Sequence, residues 1–158
     1  MPAKAGTQNS KRHVWLTAYV PLIVWTIVML GLGSGVGAAN ETSQFIRPLL
    51  EFVFPAAAPE TLAVYHGYIR KLAHVVEYAL LAVLAARVFA GSKWRFALSL
   101  AFVIAVAVAD EVNQGFNPAR TSSPWDVLLD TAGGAAALLF YRMATRSDRR
   151  RPASVAVL

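Results

Sequence analysis

Residues 94–113 read WRFALSLAFVIAVAVADEVN. Arg95 opens the stretch, Asp110 and Glu111 close it, and Phe96 to Ala109 carries no charge. About 20 residues of helix cross a hydrocarbon core, so this is a candidate membrane span with a basic end and an acidic end. Working outward, 125–143 (WDVLLDTAGGAAALLFYRM) is a second such segment, and 72–90 (LAHVVEYALLAVLAARVFA) a third that holds His74, Glu77 and Arg87. Residues 14–39 are uncharged throughout. Val36-Gly37-Ala38 has the look of a signal-peptidase site, but the run exceeds the usual h-region of about 7–15 residues and is read as a span. The pattern predicts an all-α integral membrane protein, a four-transmembrane-helix bundle with an interfacial or half-inserted segment between the first two spans. Its expected parts are a segment 1–13, a membrane domain 14–143 and a basic tail 144–158.

Composition agrees. Of 158 residues, 56% are hydrophobic and 15% charged, and the mean hydropathy is +0.47. These figures exclude a disordered chain, a fibrous repeat and a coiled coil, and argue against an ordinary soluble domain. The absence of cysteine excludes a disulfide framework, a thiolate metal site and a cysteine nucleophile.

The net charge of +6 is unevenly placed. With the N-terminus inside, the inner segments 1–13, 87–95 and the tail after Tyr141 hold eleven Lys and Arg and one acid, Asp148. The outer half holds Arg47, Arg70, Lys71 and Arg120 with eight carboxylates. This sorting places both termini in the cytoplasm. The basic tail is then a topology signal with anionic lipid as a secondary contact, and nucleic acid is not an expected partner. Between the first two spans, Ser43 to Phe54 is too apolar for a free loop and too short to cross, which predicts the interfacial segment. Pro59-Glu60-Thr61 predicts a helix start, with proline in the first turn and an acid at the positive end.

Ionisable side chains at membrane depth are costly and mark function by default. At about 100° per residue, Arg70, Lys71, His74, Glu77 and Tyr78 share one third of a helix circumference. Asp110 and Gln114 lie on one face of the next helix, with Glu111 turned about 100° away and so expected to serve a different partner. Asp126 and Asp130 stack on one face of the last helix, which Gly133 and Ala137 continue as a small-residue surface for close helix approach. Ser122 or Ser123 is placed to cap that helix ahead of Pro124. Lys71, His74, Asp110, Glu111, Gln114, Arg120 and Asp126 are therefore expected to share one outer pocket. The bland alternative is a buried network that locks helix register. No metal or cofactor is expected; a divalent cation on Asp110, Glu111, Asp126 and His74 is chemically conceivable, but the spacing gives it little support. Gly31-x-x-x-Gly35 and Gly33-x-x-x-Gly37 leave an oligomer open.

Arg70-Lys71-Leu-Ala-His74-x-x-Glu77-Tyr78-x-x-Leu81 resembles the first signature of VanZ-like membrane proteins. Asp110-Glu111-x-x-Gln114-x-Phe116-x-Pro118-x-Arg120-x-Ser122-x-x-x-Asp126-x-x-x-Asp130-x-x-Gly133 resembles the second. The resemblance covers about residues 14–141. It departs at Val75, where the family usually has an aromatic, and at Asp130, where it usually has asparagine. It implies a multi-pass protein of the bacterial inner membrane, in a family whose named member is associated with low-level resistance to the glycopeptide teicoplanin.

Together these readings give an expected function. An outer-leaflet pocket binds or acts on an anionic cell-envelope component, a lipid headgroup or lipid-linked precursor. Lys71, Arg120 and Gln114 would hold it. His74, Asp110 and Glu111 would carry acid–base chemistry if there is catalysis, which the sequence leaves open. Glu77, Tyr78, Ser122, Asp126 and Asp130 would support them. The alternative is a non-enzymatic accessory, binding or transport protein, or the structural network alone.

Overall fold

The computed structural model describes residues 4–31, 39–116 and 123–149, with side chains described for 16–31, 44, 46–116 and 123–146. Every regular element among them is helical: α1 (Lys4–Gly31), α2 (Ala39–Val53), α3 (Pro59–Val88), α4 (Arg95–Gly115) and α5 (Pro124–Arg149). α3 and α5 start at the prolines that the sequence marks as first-turn residues. α1 begins ten residues before the expected span, and Gly33, Gly35 and Gly37 lie outside the described residues. α2 is the short apolar segment expected between the first two spans.

Two helical segments, Arg95–Gly115 and Pro124–Arg146, are long and apolar enough to cross a membrane. Leu16–Gly31 is apolar but shorter. α3 falls outside that class because its polar side chains interrupt the apolar run, although it is the central helix, packed against α1, α2, α4 and α5.

The core is small and lies where α3, α4 and α5 meet. Tyr78, Leu81, Ala82, Ala85 and Ala86 of α3, Val103, Val106 and Ala107 of α4 and Leu138 of α5 are buried, with Leu22 and Met29 of α1. Alanines on α3 and two glycines on α5 set the spacing. A Cβ on Gly133 would stand 3.0 Å from the Val75 backbone oxygen, and one on Gly134 would stand 2.8 Å from Val103 Cγ1. α5 therefore presses on α3 and α4 through adjacent glycines, the close approach expected of Gly133.

α1 is held by hydrogen bonds to the main chain. Trp25 Nε1 donates to the Glu77 carbonyl at 3.1 Å, and Asn113 Nδ2 donates at 3.0 Å to the Leu30 carbonyl, in the last turn of α1 where carbonyls lack helical partners. Pro21, inside α1, has no N–H to give the carbonyl four residues back. That carbonyl belongs to Thr17 and accepts from Arg87 Nη2 at 3.5 Å.

Around this core the outer surfaces are apolar. Leu16, Ile27, Phe52, Leu72, Val76, Leu139 and Phe140 are among the large hydrophobics left exposed. So broad an apolar exterior marks a surface that meets an apolar phase or a partner rather than water.

Candidate functional site

α3 and α5 run parallel with α4 antiparallel to both, which brings the polar residues to one end of the bundle, away from the turn at 89–94. α3 contributes Lys71, His74, Glu77 and Tyr78 from its middle, α4 contributes Asp110, Glu111 and Gln114 from its last turns, and α5 contributes Asp126 and Asp130 from its first two. The cluster has two layers.

The inner layer is sealed. Asp110 is 3% exposed and Tyr78 is 0%. Asp110 Oδ2 accepts from Gln114 Nε2 at 2.8 Å and from the Tyr78 hydroxyl at 3.4 Å. The first bond lies within one turn of α4; the second ties α4 to α3. Asp130 is buried beside them, 5% exposed. Asp110 is thus held by two donors in a packed setting, the arrangement of a group that ties helices together.

The outer layer is half open. Lys71 Nζ lies 3.4 Å from Asp126 Oδ1, with 60% of the lysine side chain exposed. His74 sits over Tyr78, ring centroids 6.5 Å apart and nearly parallel. Its buried Nδ1 makes no hydrogen bond and stands 3.9 Å from Glu77 Oε2. Glu111 accepts through Oε1 from the backbone N–H of Ser123. Asp110 and Glu111 thus face different partners, as their angular separation requires. Ser123 also caps α5, its Oγ accepting from the Trp125 N–H at 3.3 Å.

Of the residues singled out in the sequence, Lys71, His74, Glu77, Tyr78, Asp110, Glu111, Gln114, Asp126 and Asp130 occupy this end together. Arg120 and Ser122 lie outside the described residues. Among the described residues, no three His, Asp or Glu side chains gather as a metal-binding group.

Three features have no counterpart in the sequence reading. Trp25 and Asn113 tie α1 to the back of the cluster; Asn113 sits between motif positions and could have been suspected from that alone. His66 lines a cavity of about 130 Å³ between α2 and α3 with Arg47, Leu50 and Leu62. It precedes the expected 72–90 span, and burial, then the nearby Arg70 charge, lowers its pKa below the ordinary histidine value. At the opposite end of the bundle, Arg95 donates to the Ala86 carbonyl at 2.6 Å and to the Tyr141 hydroxyl at 2.8 Å. The sequence offered Arg95 only as a topology charge.

Compared with known proteins, residues 16–145 match the family model described as VanZ/LLP1. No curated protein and no solved structure matches the chain.

Proposed function

The chain belongs to the VanZ/LLP1 family, and on that footing we propose that it crosses the bacterial cytoplasmic membrane four times with both termini inside. Its α3–α4–α5 polar cluster then lies in the outer leaflet and binds or acts on an anionic envelope component. Three arguments support the placement: two helices of membrane-crossing length and apolarity, the lopsided Lys/Arg distribution, and an apolar exterior that would be a liability in water.

The observation that carries the functional reading is the half-open outer layer. A network built only to lock helix register would satisfy its polar atoms internally and close over them. Here the Lys71 side chain is 60% exposed and projects from the cluster with only a partly exposed ion pair, and the His74 and Glu77 side chains stay 26% and 30% exposed beside it. Lys71 and Arg120 supply the positive charge for a phosphate or carboxylate. His74 and Glu111 are the groups placed to exchange a proton with it. Asp110, bonded by Gln114 and Tyr78, positions the helices that carry them. The ligand classes that fit are a lipid headgroup and a lipid-linked precursor; glycopeptide resistance would follow only where that component is the drug's target.

Binding of a polyprenyl phosphate to the purified full chain in micelles, with the matching polyprenol as control, tests this reading. The phosphate form should bind and the alcohol should bind at least about tenfold more weakly, the loss expected for a charge-assisted contact. Equal binding of the two would remove the anionic ligand. Glu111→Gln then separates catalysis from binding: a catalyst loses turnover and keeps the ligand, whereas a carrier or accessory protein shows no such split.

A further inference from the structure

The opposite end of the bundle holds a second site with different chemistry. The α3–α4 turn, the first turn of α4 and the distal half of α5 enclose a cavity of about 670 Å³, lined by Lys93, Trp94, Arg95, Phe96, Arg142 and Arg146 among others. Among the described residues no lining side chain is acidic, and the first turn of α4 contains no acid, so the positive end of the helix dipole adds to four cations. The guanidinium of Arg142 lies 5.6 Å from the Phe96 ring centre, and that of Arg95 lies 4.8 Å from the Tyr141 ring. Arg95 is engaged by the Ala86 carbonyl and the Tyr141 hydroxyl and braces the wall, so Lys93, Arg142 and Arg146 are the cations offered to a phosphate. Lys93 stands over Trp94 at 5.7 Å.

A second cavity, about 270 Å³, adjoins the first. It shares Phe96, Ala97 and Arg142 with it, then runs between α4 and α5 along Leu100, Ala135, Leu138 and Leu139. The cationic bowl therefore lies directly beside an apolar groove, with Phe96, Ala97 and Arg142 as their common wall.

We propose that these two cavities form one binding site for an anionic glycerophospholipid, its phosphate in the bowl and an acyl chain in the groove. Topology alone requires cations near this end but no particular arrangement of them. Cations around a cavity that adjoins an apolar groove match an amphiphile, with charge at one end and hydrocarbon at the other. The site is distinct from the α3–α4–α5 polar cluster and stands whether or not that cluster binds a ligand.

The test is a titration of the purified full chain in neutral micelles with phosphatidylglycerol, with phosphatidylcholine of the same acyl chains, and with inorganic phosphate. The variants are the double Arg142→Gln/Arg146→Gln, both exposed residues, and Ala135→Phe, which fills the groove. Phosphatidylglycerol should bind at least tenfold more tightly than either control. The double variant should weaken it about 30-fold, as expected for two cations near an anionic headgroup, and Ala135→Phe should weaken the lipid while leaving phosphate unchanged. Equal affinity for the two lipids would overturn the proposal, as would an unaltered affinity in the double variant. Inorganic phosphate binding as tightly as the lipid would overturn it too, by assigning the bowl to a free anion. Should Ala135→Phe fail to fold, the double variant and the two controls still decide the question.

Discussion

Asp110 and Arg95 stand at opposite ends of α4, and each is hydrogen-bonded to another helix, but their surroundings differ. Asp110 is enclosed with Gln114 and Tyr78, Asp130 is buried as well, and the layer outside them adds a cation, Lys71, paired to Asp126. Arg95 is braced by Ala86 and Tyr141, and the charged side chains described around its open cavity are all cations. One end mixes signs and seals part of itself from its surroundings. The other shows one sign among its described residues and stays open. The difference teaches that polar residues in this fold perform two tasks, joining helices and meeting ligands, and that burial separates them better than residue type does.

Variants can break this comparison, beginning with the largest effect. Asp110→Ala removes the acceptor shared by Gln114 and Tyr78 and leaves two buried donors unpaired. The expected loss is about 2–3 kcal/mol of stability, at the upper end because both donors are enclosed; thermal or denaturant unfolding in micelles measures it. A loss below about 0.5 kcal/mol would show that the inner layer does not hold the helices. Gly133→Ala tests the same interface without touching charge. Its new Cβ would meet the Val75 backbone oxygen at 3.0 Å, so α5 must move off α3, at about 1–2 kcal/mol. Lys71→Gln should hardly change stability, because ion pairs this exposed are worth about 0–1 kcal/mol.

Much of this organisation is written in the sequence. Proline and acid at 59–60, and serine and proline at 123–124, announce the starts of α3 and α5. Charge at the helix ends and its absence between them announces α4. The polar positions of the two motifs fall on shared faces because spacings of three and four residues fix that in any helix. Other features could not be read. Trp25 and Asn113 donate to backbone carbonyls, and an acceptor carbonyl has no sequence signature. Arg95 and Tyr141 are 46 positions apart, and only the pairing of α4 with α5 brings them together. Gly134 looks no different from Gly133 in the sequence, yet it faces Val103 of α4 while its neighbour faces α3. The division of the polar cluster into a sealed layer and an open one depends on depth, which periodicity does not report.

The central claim is that the outer layer of the α3–α4–α5 cluster serves a ligand rather than the fold. The most direct measurement compares Lys71→Gln with the unaltered chain in one preparation, recording both the unfolding midpoint without ligand and the affinity for a polyprenyl phosphate. The account predicts an unfolding free energy changed by less than about 0.5 kcal/mol and an affinity reduced about tenfold or more. A large fall in stability with unchanged affinity would contradict it and return the whole cluster to a structural network.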